Sequence, residues 1–64
     1  MKKKIVYRFS GFNDRDDAYT FAYVYGGILN ERDQSVVLKC DSEKAERLAF
    51  YGDPYPLIYE EKQN

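Results

Sequence analysis

Apolar and polar positions alternate over residues 3–9, with Ile5, Tyr7 and Phe9 on one side and Lys4, Val6 and Arg8 on the other. A period of two marks a strand with one buried face, so this segment is read as the first strand. The period then changes. Ala18, Phe21, Ala22, Tyr25 and Leu29 recur at helical spacing, which predicts a helix from about Asp14 to Tyr25 with one apolar face. Asn13 or Asp14 is placed to cap it, and Asp16 and Asp17 fall in the first turn, where negative charge suits the helix dipole. Gly26-Gly27 supplies a stop, and Phe12 is placed to staple against the first turn. The same stretch admits a strand reading, because Tyr19, Phe21, Tyr23 and Tyr25 alternate with Thr20, Ala22 and Val24. The capping residues and acidic start favour the helix.

Beyond the glycines, Ile28 to Glu31 reads as a short second strand and Arg32-Asp33-Gln34 as a polar turn. Ser35 to Cys40 is the clearest strand, with Val36, Leu38 and Cys40 facing one way and Val37 and Lys39 the other. Asp41 or Ser42 caps a second helix, Glu43 to Tyr51, whose inward face is Ala45, Leu48 and Ala49 and whose stop is Gly52. Asp53-Pro54-Tyr55-Pro56 is excluded from a helix interior by its prolines. Leu57-Ile58-Tyr59 makes a brief last strand at an edge. Residues 1–2 and 60–64 are expected to fray.

The order β-α-β-β-α-β predicts an α+β fold: a minimal ferredoxin-like split βαβ arrangement, both helices on one face of a small antiparallel sheet. The alternative keeps residues 14–25 as strand, giving a mostly antiparallel sheet with one helix at residues 43–51. Either way, residues 1–64 form one small domain, near the lower limit at which a single core sustains a fold without staples.

Composition narrows the chemistry. The chain has no histidine and one cysteine, Cys40, so no intrachain disulfide forms. A lone cysteine fits a reducing compartment, and the expected location is cytoplasmic. After Lys2-Lys3-Lys4 only Ile5-Val6-Tyr7 precedes Arg8, too short for the apolar segment of a signal peptide, and no stretch is long enough to span a bilayer. The net charge of −1 gives no general attraction to nucleic acid or membrane.

Without histidine, acid–base work near neutrality would fall to a shifted carboxylate, lysine or tyrosine. Cys40 has no evident base to make it a thiolate and is read as a small buried hydrophobe. Asp14, Asp16 and Asp17 fail the calcium-loop pattern, since the fifth position from Asp14 is Ala18 and the twelfth is Tyr25. Gly26-Gly27 lacks the lysine and spacing of a phosphate-binding loop. The chain is therefore read as non-catalytic, with no metal and no cofactor.

What remains is binding. Seven tyrosines and four phenylalanines are more than one small core hides, and exposed tyrosine is a common component of interfaces. Tyr19 and Tyr23, four residues apart, fall opposite the Ala18–Ala22–Tyr25 stripe with Asp16 and Thr20 beside them. The plainer account has them lying over neighbouring loops, or in a core if the stretch is a strand. A second candidate is the stiff segment Tyr51–Pro56, which presents Tyr55 beside Asp53; its plainer account is a proline-set turn covering the sheet edge. The leading expectation is a module that binds another protein, an inhibitor or adaptor of a larger enzyme, with homodimerisation as a variant. In size and composition alone the chain is similar to short accessory proteins of phages and other mobile elements. The alternative is binding of single-stranded RNA or DNA through Lys4, Arg8, Arg32 and Lys39 on an open sheet face. Valines stand there where such sheets usually carry stacking aromatics.

Overall fold

The computed structural model describes residues 3–52 and 54–62. Its elements are β1 (Ile5–Ser10), α1 (Arg15–Tyr25), β2 (Ile28–Asn30), β3 (Ser35–Cys40), α2 (Ser42–Ala49) and β4 (Ile58–Glu61). The strands form one sheet in the order β2-β3-β1-β4, and every neighbouring pair is antiparallel. Each helix thus joins two strands that do not pair with each other, which is the split βαβ arrangement. α1 lies on β3 and β2, α2 on β1 and β4, and the opposite face of the sheet is open.

The core is built from the positions that the two periodicities single out. Tyr7 and Phe9 of β1 and Val36, Leu38 and Cys40 of β3 are buried against Ala18, Phe21 and Ala22 of α1 and Ala45 and Leu48 of α2. Phe9 and Phe21 are fully buried with ring centroids 5.2 Å apart. Truncating either to alanine costs about 3–5 kcal/mol, a large share of the roughly 3–10 kcal/mol that a chain this size commands.

Local chemistry sets the ends of α1. The Asp14 carboxylate accepts the Asp17 N–H at 2.9 Å, so Asp14 is the cap. At the other end Gly26 is left-handed (φ 77°), and the Gly26 and Gly27 N–H groups both donate to the Ala22 carbonyl. Gly27 serves a second purpose: a Cβ there would stand 2.6 Å from Val36 Cγ1 and 3.0 Å from the Val37 carbonyl. The chain turns onto β3 because that position carries no side chain.

Several boundaries depart from the sequence reading. Phe12 packs on Phe21 (5.2 Å between centroids), beyond the first turn that it was expected to staple. α2 begins at Ser42, capped by the Asp41 carboxylate on the Lys44 N–H (2.8 Å), and ends at Ala49, short of Tyr51. Its last turn tightens: Phe50, Tyr51 and Gly52 donate to carbonyls three residues back, at 3.2, 3.0 and 3.4 Å. Gly52 is therefore no left-handed stop. It is required by close approach, since a Cβ there would clash with the Tyr55 carbonyl.

Leu57, read as strand, precedes β4 and is a buried core residue, anchored by its N–H on the Ala49 carbonyl at 2.6 Å. β4 in turn runs on through Glu60 and Glu61, where fraying was expected, because they pair with Arg8 and Tyr7 of β1. The Lys62 N–H still donates to the Val6 carbonyl at 2.8 Å. β1 begins at Ile5, so Lys3 and Lys4 precede it, and β2 stops at Asn30, with Glu31 in the following turn.

Candidate protein-binding surface

The aromatic residues divide into two groups. Tyr7, Phe9, Phe12, Phe21, Tyr25, Tyr51 and Tyr59 form a continuous network of ring contacts between 5.0 and 6.5 Å, mostly tilted or edge-on. Such pairs stabilise beyond simple burial. The other four stand outside it and are exposed: Tyr19 (56%), Tyr23 (80%), Phe50 (74%) and Tyr55 (79%).

Two of these four share one helix face. In α1 the buried positions Ala18, Phe21 and Ala22 fix the inward arc, and the 100° step per residue turns Tyr19 and Tyr23 away from it. Asp16, Thr20 and Val24 are exposed on the same outward side. Val24 adds an apolar surface that the sequence reading did not single out. One flank of this face is pinned by Arg15, whose Nε–H donates to the Glu31 carboxylate at 2.8 Å. That ion pair ties α1 to the turn after β2 and holds the Arg15 pKa above its ordinary value.

The second candidate segment splits. Tyr51 joins the ring network against Phe12, Phe21 and Tyr25, whereas Tyr55 projects outward. Asp53 lies outside the described residues. Phe50, read as part of the second helix, is the α2 cap residue and is exposed.

The open sheet face carries the residues of the nucleic-acid alternative. Across its middle run Ile28, Val37, Arg8 and Glu60, paired strand to strand. The Arg8 guanidinium donates to the Glu60 carboxylate and lies 3.9 Å from Asp33. Asp33 in turn accepts the Ser35 N–H (3.1 Å) and hydroxyl (2.6 Å), which holds its carboxyl below the usual range. Arg8 is thus set between two carboxylates, and the positive charge that it offers to a phosphate is largely neutralised locally. Lys39 stands opposite Val6, Lys4 precedes β1, and Arg32 belongs to the turn, its N–H donating to the Asn30 side chain. Lys39 is thus the diagonal neighbour of Arg8 on this face, and among the described residues of the face there is no ring on which a base would stack.

Among the described residues no three carboxylate, cysteine or histidine side chains converge on a metal-sized site, and no helix is long and apolar enough to cross a membrane. Cys40 is buried and burial raises its thiol pKa. Against protein families, curated proteins and solved structures alike, the chain has no significant match.

Proposed function

We propose that this protein is a non-catalytic module that binds another protein through the outward face of α1, with Tyr19 and Tyr23 as anchors and Asp16, Thr20 and Val24 beside them. The observation that carries the reading is the division of the rings. The fold draws seven aromatic side chains into ring contacts, Tyr51 and Tyr59 only partly covered, and leaves two more exposed tyrosines one turn apart on a helix whose opposite side is core. Tyrosines lose little conformational entropy on binding and are enriched among residues that dominate interface energy.

Size sets a further condition. Two tyrosines bury about 300–500 Å² between them, and a specific interface takes about 800 Å² from each partner. The contact therefore spreads beyond the two rings, onto Asp16, Thr20, Val24 and the surface around them. A partner that is an enzyme would be inhibited or recruited by being covered in this way, and a second copy of the chain is the other occupant to test.

The experiment is affinity capture from nuclease-treated lysate with wild-type protein and with Tyr19→Ala/Tyr23→Ala. A partner held by the wild type is expected to bind the double variant at least about 30-fold more weakly, the equivalent of roughly 2 kcal/mol. Equal capture by both proteins would remove the α1 face from the interface. Sedimentation of the protein alone reports self-association.

A further inference from the structure

A net charge near zero hides an asymmetry between the two sides of the sheet. On the helix side α1 starts among Asp14, Asp16 and Asp17, and its one cation, Arg15, is engaged by Glu31. On the open side Lys39 of β3 stands opposite Val6, and Lys62 meets Val6 from the β4 side, its N–H on the Val6 carbonyl. Both lysines are exposed, and among the described residues no carboxylate lies within ion-pair distance of either.

Lys62 also lines a shallow trough of about 400 Å³ on this side, whose lining is mainly apolar and includes exposed Ile28 and half-buried Val37. Glu31 is the carboxylate in that lining, and Arg15 already holds it. We propose that the trough and its lysines dock the outward face of α1 from a second copy of the chain, so that copies stack head to tail.

The two surfaces match in charge and in kind. The sheet side offers aliphatic side chains beside free cations; the α1 side offers Tyr19, Tyr23 and Val24 beside Asp16, all exposed. Complementary charge of this sort steers two surfaces together and fixes their register. The trough falls within the roughly 300–1,000 Å³ of sites that hold drug-sized molecules, so it has room for a tyrosine ring. A copy of the same sheet face fits less well, since it would set Arg8, Lys39 and Lys62 against themselves, and like charge costs affinity.

α1 lies on one side of the sheet and the trough on the other. The contact is therefore heterologous, and each docked copy leaves one free surface of each kind for the next. The inference rests on α1 presenting a protein-binding face, as proposed above, and names a second copy as an occupant of it.

The test is sedimentation velocity of the purified protein between about 0.02 and 1 mM. The wild type is expected to assemble past the dimer as concentration rises, with a dissociation constant on the order of 100 μM, and to weaken in about 0.5 M salt. Lys39→Glu/Lys62→Glu and Tyr19→Ala/Tyr23→Ala each change exposed positions, and circular dichroism checks that both fold. Each is expected to weaken self-association at least about 10-fold. An equal mixture of the two variants should pair again, because each keeps the surface that the other has lost, and should stop at the dimer. If the glutamate variant fails to fold, Lys39→Gln/Lys62→Gln replaces it with the same expected direction.

A wild type that stays monomeric at about 1 mM overturns the proposal and leaves the trough to a partner of another kind. Self-association that survives the lysine changes, or a mixture that fails to pair, overturns it as well. Assembly by the tyrosine variant alone would mark packing of sheet face on sheet face, and assembly by the lysine variant alone would mark packing of helix on helix; either replaces the head-to-tail contact. A monomeric wild type whose captured partner is lost on Tyr19→Ala/Tyr23→Ala counts against this inference alone, whereas unimpaired capture by that variant counts against the α1 face.

Discussion

Arg8 and Glu60 face each other across the β1–β4 pair and join their side chains on the open face of the sheet. Each is about half exposed, so the ion pair itself contributes little, under about 1 kcal/mol. Its larger effect is on what the face attracts, because Arg8 also lies within reach of Asp33.

With Arg8 so engaged, the wild-type protein is expected to bind a single-stranded oligonucleotide no more tightly than about 100 μM at physiological salt. Glu60→Gln is expected to lower stability by less than about 1 kcal/mol in a denaturant titration, and to strengthen whatever weak, salt-sensitive binding exists at low ionic strength. Fluorescence anisotropy across a salt series measures it. Wild-type affinity near 1 μM with a steep salt slope would restore the sheet face as the functional surface.

Tyr19→Ala/Tyr23→Ala should fold as well as the wild type or slightly better. Both positions are exposed, and alanine is the stronger helix former by up to about 0.7 kcal/mol at each. Urea unfolding followed by circular dichroism should therefore show stability unchanged or raised by up to about 1 kcal/mol. A loss beyond about 2 kcal/mol, far outside the usual range for surface substitutions, would mean that the two rings hold the fold together.

Gly26→Ala and Gly27→Ala should both destabilise, for different reasons. At Gly26 the space is open and the backbone is left-handed, which costs alanine about 1–2 kcal/mol. At Gly27 the new methyl meets Val36 Cγ1, and overpacking of that kind costs about 1–3 kcal/mol. A double-mutant cycle separates them. Val36→Ala should couple to Gly27→Ala by relieving part of its cost and show no coupling to Gly26→Ala.

Cys40 should resist alkylation in the native state by at least about 100-fold relative to the urea-unfolded chain, because its thiol is reached only by opening the core. Burial raises the folded thiol pKa above its ordinary value. The unfolded chain then loses its thiol proton first as pH rises, so stability is unaffected below the ordinary thiol range and falls above it. The Tyr7 hydroxyl, raised chiefly by desolvation and then by Glu61, acts in the same direction at higher pH. Chemical denaturation at about pH 7.5 and pH 9.5 should show the decline, and Cys40→Ala should flatten it, since that interval brackets the thiol and lies below the tyrosine range.

The amino-acid order alone determined the elements and the side of each that is buried. The period-two runs through Tyr7 and Phe9 and through Val36, Leu38 and Cys40, and the helical run through Ala18, Phe21 and Ala22, record local geometry directly in residue spacing. The caps at Asp14 and Gly26 are local for the same reason. Tertiary structure alone decided the rest, where the outcome depends on which distant groups meet. Residues 60–61 became strand because Arg8 and Tyr7 of β1 lie across from them, and Leu57 became core because the Ala49 carbonyl holds it under α2. Gly27 and Gly52 owe their identity to Val36 and to the Tyr55 carbonyl. Which of eleven similar rings would be packed together, and which left exposed, was likewise fixed by the meeting of α1, β1 and the α2–β4 segment. Hydrophobicity gives every tyrosine nearly the same tendency to be buried, and a core of this size has room for only some of them.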